Sequence, residues 1–228
     1  MAGQYIDIPT TDGSNFKAYK EGSGPIILVI QEIFGINGVM RETCTRLASE
    51  GFTALCPDLF HQFEPGIELD DHNPEDLKQA FAYFAHFNID HGLRDIAATL
   101  AHSRTLQAGK VGAMGFCLGG YLAYRTATDT DCDAVVGFYG VGIENMLTKA
   151  EAIRHPLMLH TAGQDEYVPH EAQSKIHRVL DTHDFVTLYD YPERDHAFAR
   201  PDGAHFHQDD AKTAYQRSFD FFRTHLGA

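Results

Sequence analysis

The chain has 228 residues, 43% of them hydrophobic, and a formal net charge of −14. A chain of this length can bury a core as one α/β unit, so we expect a single domain over residues 1–228. The acidic balance and the lack of a clustered Lys/Arg run argue against nucleic acid or a membrane surface as a partner.

The apolar runs and the cysteines favour a soluble protein of the cytoplasm. Runs such as Ile26–Ile30 are far shorter than the ~20 residues that cross a bilayer, and the first residues, Met1–Tyr5, do not resemble a targeting peptide. The four cysteines are too sparse for a disulfide scaffold and lack zinc-finger spacing. We therefore expect a reducing, cytoplasmic location.

The first elements in chain order predict a hairpin followed by a buried strand. Tyr5–Ile8 and Phe16–Tyr19 alternate polar and apolar residues on either side of a turn at Thr11–Ser14, which predicts two antiparallel strands. Ile26–Ile30 is a continuous apolar run, typical of a strand buried on both faces of a parallel sheet.

From that strand onward, helices and strands are predicted to alternate. The predicted helices are Met40–Glu50, Glu75–Phe87, His91–Arg104, Leu118–Ala127, Pro169–Thr182 and Ala211–His225. The predicted strands are Phe52–Cys56, Val111–Phe116, Ala134–Tyr139, Pro156–Ala162 and Val186–Tyr191. This order predicts a three-layer α/β/α sandwich with a mostly parallel sheet, whose ligands meet the loops at the carboxyl ends of the strands.

A G-x-C-x-G segment lies between a predicted strand and a predicted helix. In Gly115–Gly120 the flanking glycines permit a sharp turn that presents Cys117 at a helix N-terminus, as in a nucleophile elbow with cysteine in place of serine. The helix dipole there favours a thiolate, and the following backbone N–H points toward a developing oxyanion. We therefore predict Cys117 as a nucleophile, whereas Cys44, Cys56 and Cys132 lack glycine framing and are expected to be buried packing residues.

A cysteine nucleophile needs a base and an orienting acid. Asp165 and His196 each follow a predicted strand, in the chain order nucleophile, acid, histidine that this topology uses, so all three are expected on one rim of the sheet. His160 lies inside a predicted strand and is expected to be a core histidine. Asp195 is next to His196 and is expected to point away from it. Glu166 is next to Asp165 and is expected to be a solvated loop residue.

Several segments together resemble the dienelactone hydrolases (carboxymethylenebutenolidases), α/β-hydrolases with a Cys-Asp-His triad. These segments are Gln31–Gly35, Pro57–Phe60, Gly115–Gly120, Gly163–Asp165 with Val168–Pro169, and Asp195–Arg200. The resemblance spans nearly the whole chain. It implies the α/β-hydrolase fold and a hydrolase that opens a lactone or activated ester through a cysteine acyl-enzyme.

The resemblance also implies residue roles. Cys117, His196 and Asp165 are implied as nucleophile, base and orienting carboxylate, and Glu32 as a fourth member that handles the thiol proton when substrate arrives. The implied oxyanion hole consists of the backbone N–H groups of Ile33 and Leu118. A carboxylate that follows a buried strand can have a raised pKa, which makes such a role for Glu32 plausible.

The implied substrate is a five-membered unsaturated lactone that bears a carboxylate, hydrolysed to maleylacetate in the catabolism of chlorinated aromatics. Arg200 matches a family arginine that holds this carboxylate, and Tyr139 and Phe84 are implied to bind substrate. The sequence departs from the family on the helix Glu75–Phe87, which carries no second arginine and has Phe81 and Phe84 where well-known members have Tyr and Trp.

Two other interpretations stay open from the sequence. A broader small-ester or lactone hydrolase would explain the altered helix, and a redox-sensing thiol or non-catalytic binding protein could use the same scaffold. We expect no cofactor. We also expect no metal, because His205–His207 with Asp209 and Asp210 are predicted to form a polar loop in which no spacing places three metal ligands on one face. The expected partner is a small lactone or ester, bound by a monomer.

Overall fold

The computed structural model describes residues 3–227, which contain an eight-stranded sheet. Its strands are β1 (Gln4–Pro9), β2 (Asn15–Gly22), β3 (Ile26–Ile30), β4 (Thr53–Pro57), β5 (Val111–Phe116), β6 (Ala134–Phe138), β7 (Leu157–Ala162) and β8 (Val186–Tyr191). Their order is β1-β2-β4-β3-β5-β6-β7-β8, with β2 antiparallel to both neighbours and the other pairs parallel. The predicted mostly parallel sheet is confirmed; Met1, Ala2 and Ala228 lie outside the described residues.

Helices cover both faces of this sheet. They are α1 (Gly38–Ser49), α2 (Pro74–His86), α3 (Ile89–Leu106), α4 (Leu118–Asp129), α5 (His170–Leu180) and α6 (Gln208–Leu226). Helices α1 and α6 pack on one face, and α3, α4 and α5 pack on the other. Short 3-10 helices, which were not predicted, occur at Leu59–Gln62, Ile143–Asn145 and Leu147–Ala152. No helix within residues 3–227 has both the length and the apolar character needed to cross a membrane.

Strand β3 lies near the centre of the sheet and is buried on both faces, as its apolar run predicts. All five of its residues are buried. Ile26, Leu28 and Ile30 contribute to the core beneath α3, α4 and α5, whereas Ile27 and Val29 face the core beneath α1 and α6. This alternation follows from the two-residue period of a strand. The carboxyl end of β3 is thereby fixed between two packed layers.

The start of the last helix differs from the sequence prediction. Helix α6 begins at Gln208 and not at Ala211, because the side chain of His207 caps it by accepting a hydrogen bond from the Asp210 N–H. Asp209 and Asp210 therefore belong to the first helical turn, where acidic side chains interact favourably with the helix dipole. The prediction of a polar loop through Asp210 was wrong.

Other predicted boundaries differ from the structure by one to three residues, and two of these differences have a clear physical reason. Pro169 is the N-cap of α5, with an extended ψ of 158°, so the helix begins at His170 and the proline precedes its first turn. Strand β6 ends at Phe138, because Tyr139 has a φ of 37°, a left-handed conformation that cannot continue a strand. Tyr139 therefore occupies a turn at the carboxyl end of the sheet.

His160 is a core histidine, as its place within a strand predicts. Its Nδ1 lies 3.0 Å from the Tyr191 hydroxyl and its Nε2 lies 3.1 Å from Ser218 Oγ. Because the Ser218 hydroxyl donates to Ala214 O, the ring donates through Nε2 and accepts at Nδ1. Burial, together with the nearby charge of Arg217, lowers the pKa of His160 to about 3. The ring is therefore neutral in the folded protein at physiological pH.

We expect acidification to destabilise the protein through His160. Its pKa of about 3 in the folded chain is below the unfolded value of about 6.5, so below pH 6.5 the unfolded chain takes up a proton that the folded chain does not. From pH 7 to pH 5 this difference should lower the free energy of unfolding by about 2 kcal/mol.

Urea unfolding of the wild type and of His160→Gln at both pH values measures this contribution. The variant should lose less stability on acidification than the wild type, whereas the exposed control His170→Gln should behave like the wild type. An equal pH dependence in the wild type and His160→Gln would contradict the prediction.

Candidate active site

Cys117 connects strand β5 to helix α4 in a backbone conformation that few non-glycine residues adopt. Its φ is 55° and its ψ is −114°. Such a conformation costs about 1–3 kcal/mol and is found mainly at functional turns. The Cys117 N–H donates to Phe138 O on β6 at 3.1 Å, which holds the turn in place. The sequence-predicted sharp turn, with Cys117 at the N-terminus of α4, is present.

The two glycines that flank Cys117 are required by close backbone contacts. A Cβ atom on Gly115 would lie 2.0 Å from the carbonyl oxygen of Gly119. A Cβ atom on Gly119 would lie 2.2 Å from Ile30 O and 2.6 Å from Gln31 O, and real Cβ atoms essentially never approach within 3.0 Å. The first turn of α4 therefore packs directly against the carboxyl end of β3.

This packing brings the predicted oxyanion-hole residues to the same region. Leu118 is the first residue of α4, so its N–H has no acceptor within the helix. Ile33 follows β3 by three residues and lines the same cavity as Cys117. Both residues therefore lie near Cys117, and the role of their backbone N–H groups in catalysis stays a prediction.

Asp165 and His196 meet at the rim, each on the loop that follows a strand. His196 Nδ1 lies 2.8 Å from Asp165 Oδ2, and the Asp165 side chain is 1% exposed. The second carboxylate oxygen of Asp165 accepts a hydrogen bond from the Tyr167 N–H at 2.9 Å. Since Nδ1 is held by Asp165, the other ring nitrogen of His196 is left for Cys117, which lines the same cavity.

The surroundings of His196 favour its protonated form. Burial by itself would lower the pKa of the imidazole, but hydrogen bonds to Asp165 and Cys117 and the charges of both partners raise it to about 10. The edges of the Tyr139 and Tyr167 rings also contact the imidazole, with centroid distances of 5.1 and 4.9 Å. The ring is thus held in a fixed orientation and can carry the positive charge that would accompany a Cys117 thiolate.

A buried ion pair also lines the cavity. Arg200 Nε lies 2.8 Å from Glu32 Oε2, and the two side chains are only 4% and 3% exposed. Arg200 Nη1 lies 2.7 Å from Asp71 Oδ2, and its Nη2 is buried without a hydrogen-bond partner among residues 3–227. The guanidinium carbon also lies 5.2 Å from the centre of the Phe34 ring. Glu32 is therefore a buried, paired carboxylate and not an exposed loop residue.

Burial dominates the protonation of Glu32. It raises the pKa of the carboxyl above its ordinary value, although the charge of Arg200 and its hydrogen bond act in the opposite direction. His196 and Asp71 add smaller effects of opposite sign. A carboxyl with a raised pKa close to a thiol can exchange a proton with it more readily than an ordinary surface carboxylate can.

These groups line one cavity of about 250 Å³. That volume is below the roughly 300–1,000 Å³ of pockets for drug-sized ligands, so it suits a small molecule. Polar and charged groups form part of the wall, with Cys117, His196 and Arg200 among them. The rest of the wall is largely apolar and is formed by Ile33, Phe34, Leu77, Phe81, Phe84, Val141 and Ala197.

The three predicted substrate-binding residues occupy different positions. Arg200 and Phe84 both line the cavity. Tyr139 is 2% exposed, packs against His196 and Phe198, and is not among the described residues that line this cavity. Its hydroxyl is buried without a partner within residues 3–227. A direct contact between Tyr139 and substrate is therefore not supported, and its visible effect is to orient His196.

The rival residues lie where the sequence suggests, with one difference. Asp195 accepts a hydrogen bond from the His196 N–H at 2.7 Å but does not hold the imidazole, which pairs with Asp165. Cys44, Cys56 and Cys132 are fully or almost fully buried. Glu166 is exposed, as expected, yet it also lines the mouth of the cavity.

Sequence reasoning missed Asp71 and Tyr167. Tyr167 follows Asp165 by two residues, so its proximity to the acid was a usable signal. Asp71 carries no such signal, because it reaches Arg200 from a turn 129 residues away in the chain. Helix α2 follows this turn and brings Leu77 and Phe81 to the cavity in addition to the predicted Phe84.

Known proteins resemble this chain over almost its full length. The sequence model of the "Dienelactone hydrolase family" matches residues 14–226. The chain is 40% identical to the "Putative carboxymethylenebutenolidase" of Azospirillum brasilense, covering 97% of this chain and 99% of the relative. It is 35% identical to the carboxymethylenebutenolidase of Pseudomonas putida, covering 97% and 96%. The crystal structure of the "Putative Dienelactone Hydrolase" from Klebsiella pneumoniae superimposes with a TM-score of 0.83 at 26% identity, covering 97% and 98%.

The close contact at Gly119 leads to a stability prediction. Gly119→Ala should lower the free energy of unfolding by about 1–3 kcal/mol or more, because the added Cβ meets backbone carbonyls that cannot rotate away. It should also alter the alkylation rate of Cys117 by iodoacetamide, since the turn that presents the thiol must shift.

Gly38→Ala is the matched control, because Gly38 also lies in the first turn of a helix but a Cβ atom added there would meet no neighbouring atom within 4 Å. This variant should be neutral or stabilised by up to about 1 kcal/mol. Chemical denaturation of both variants measures their free energies of unfolding. A Gly119→Ala protein as stable as Gly38→Ala would refute the role of the contact.

Proposed function

Because the chain belongs to the dienelactone hydrolase family, a family of α/β-hydrolases, we propose that it opens a small lactone through a cysteine acyl-enzyme. The single observation that supports this proposal is the hydrogen bond between Asp165 and His196, whose imidazole lines the same cavity as Cys117. Cys117, Asp165 and His196 follow strands β5, β7 and β8. The first substrate we propose is a dienelactone, converted to maleylacetate in the catabolism of aromatic compounds. A thiol nucleophile that must stay reduced fits a cytoplasmic location.

In the proposed acylation step, His196 takes the thiol proton and Cys117 Sγ attacks the lactone carbonyl carbon. The electron pair of the carbonyl bond moves to its oxygen, where the N–H groups of Leu118 and Ile33 stabilise the charge. When the tetrahedral intermediate collapses, the ring C–O bond breaks and the leaving oxygen takes the proton from His196. The open chain remains attached to Cys117 as a thioester.

In the proposed deacylation step, His196 takes a proton from water, and the resulting hydroxide attacks the thioester carbonyl. The C–S bond then breaks, and the thiolate leaves with its charge paired to protonated His196. Asp165 holds the same nitrogen of His196 throughout and stabilises the imidazolium in both steps. An enol released by ring opening becomes a ketone without help from the protein.

Glu32 is proposed to assist the transfer of the thiol proton from Cys117 to His196 before acylation. Its raised pKa and its position in the same cavity as Cys117 support this role. The ion pair with Arg200 ties its protonation to the substrate, because a substrate carboxylate that attracts Arg200 changes the charge beside Glu32. Proton transfer would thus be favoured when an anionic substrate is present.

Arg200 is proposed to bind the substrate carboxylate. Its guanidinium is buried, lines the cavity and retains a free Nη2 donor among the described residues. A planar guanidinium matches a carboxylate with two parallel hydrogen bonds. The absence of a second arginine on α2 favours the alternative function, a broader small-ester hydrolase, because a single cation offers less discrimination for an anionic lactone.

The decisive experiment is Cys117→Ala. This variant should lose measurable hydrolysis of dienelactone isomers and of aryl esters while it keeps the wild-type thermal unfolding curve, since no other nucleophile can form the acyl-enzyme. Turnover that persists in the variant would overturn the triad. Stoichiometric alkylation of Cys117 in a wild-type protein that hydrolyses no ester would favour a redox-sensing thiol instead.

A second experiment separates the dienelactone hydrolase from the broader esterase. Arg200→Gln should reduce kcat/KM for a carboxylate-bearing lactone by about 2–5 kcal/mol of transition-state stabilisation, and should affect p-nitrophenyl acetate far less. Loss of the Glu32 partner affects both substrates, so the difference between them measures the carboxylate contact together with its coupling to Glu32. Equal losses on the two substrates would support the broader esterase.

A further inference from the structure

The guanidinium of Arg200 is only partly used by the protein. Glu32 occupies Nε, Asp71 occupies Nη1, and Nη2 lies between them, buried without a partner within residues 3–227. A buried donor without an acceptor costs free energy that a suitable ligand can recover. The edge formed by Nη1 and Nη2 would accept a carboxylate with two parallel hydrogen bonds, but Asp71 makes only one of them.

Asp71 is held less firmly than Glu32. It lies in the turn before α2 and is 21% exposed, whereas Glu32 is 3% exposed. Its Oδ1 also lies 3.3 Å from Nδ1 of the exposed His72, so the carboxylate has a second partner and solvent to turn toward. Separating Asp71 from Arg200 therefore leaves no buried unpaired carboxylate behind.

The charges around the cavity oppose an anionic substrate. Arg200 is the only Arg or Lys among the described residues that line the cavity, and Glu32, Asp71 and Glu166 line it as well. Apart from His196, which pairs with Asp165, one positive charge thus faces three acidic side chains. A substrate carboxylate that entered without displacing any of them would lie next to Asp71 and be repelled by it.

We propose that Asp71 determines specificity by competing with the substrate carboxylate for the Nη1–Nη2 edge of Arg200. An anionic lactone binds by displacing Asp71 toward solvent and His72 and by pairing with both Nη1 and Nη2. A neutral ester leaves Asp71 in place. The substrates favoured among anions are rigid, planar carboxylates short enough to reach this edge while their carbonyl lies at Cys117. This identification of the ligand rests on the proposed lactone hydrolysis.

If Asp71 competes in this way, its negative charge should weaken the binding of anionic ligands relative to neutral ones. Asp71→Asn keeps an oxygen that can accept from Nη1 but removes the negative charge, so anions should bind more tightly. Asp70→Asn is a matched control, because it makes the same charge change one residue away on an exposed side chain that pairs with His72 and not with Arg200. Long-range electrostatics would respond alike to both substitutions.

The test measures binding of 2-furoate, a planar five-membered-ring carboxylate, and of 2-furamide, its neutral counterpart. Isothermal titration calorimetry on the full-length protein should show that Asp71→Asn binds 2-furoate about tenfold more tightly than the wild type. Affinity for 2-furamide should stay within about twofold, and Asp70→Asn should match the wild type for both probes. Asp71→Ala, which removes the carboxylate altogether, should also bind 2-furoate more tightly than the wild type.

Unchanged or weaker 2-furoate binding in both Asp71 variants would overturn the proposal, as would an equal gain in Asp70→Asn. Calorimetry requires no turnover, so its result does not depend on the triad. If the Asp71 variants do not bind 2-furoate more tightly, but hydrolysis still needs Cys117, only the competition between Asp71 and the substrate is refuted. Conversely, a tenfold gain in a protein that hydrolyses no lactone would support the competition and refute the proposed function.

Discussion

The contact between the first turn of α4 and the carboxyl end of β3 determines how the rest of the site is arranged. Gly119 lies against the carbonyl oxygens of Ile30 and Gln31 at a distance that excludes any side chain. Because the helix begins so close to the central strand, the strained Cys117 turn, the first N–H groups of α4 and the segment carrying Glu32 share one small region. The buried parallel core makes this contact rigid, since β3 is packed on both faces.

The charged groups around His196 and those around Glu32 have different electrostatic effects. Asp165 and Cys117 stabilise positive charge on His196, which suits the storage and return of a proton. Burial and the Arg200 ion pair act on Glu32 in opposite directions. A ligand that changes the surroundings of Arg200 therefore acts on the protonation of groups that it need not touch. In the proposed reaction, substrate binding and proton transfer would be coupled through the guanidinium of Arg200.

The sequence predicted a structural feature when the residues that determine it lie close together in the chain or at the ends of predicted strands. The buried strand β3 and the Cys117 turn follow from short patterns whose physical reasons are complete within a few residues. Asp165 and His196 could be placed because chain order and strand ends constrain them. Asp71 could not, since its pairing with Arg200 arises only when a turn and a distant loop converge. Tyr139 could be located but not interpreted, because its left-handed backbone turns its ring under His196.

Helix α2 differs from the other helices in how little it buries. Of its residues only Ala80 is buried, yet Leu77, Phe81 and Phe84 form much of the apolar wall of the cavity. Few buried contacts mean a low free energy of local opening, so its amides should exchange hydrogen faster than those of α4. Substitutions at the exposed Phe81 and Phe84 leave both cores untouched, whereas Leu77 packs against the core beneath α3, α4 and α5. Substrate range can therefore diverge during evolution through this helix while the folding stability of the protein is conserved.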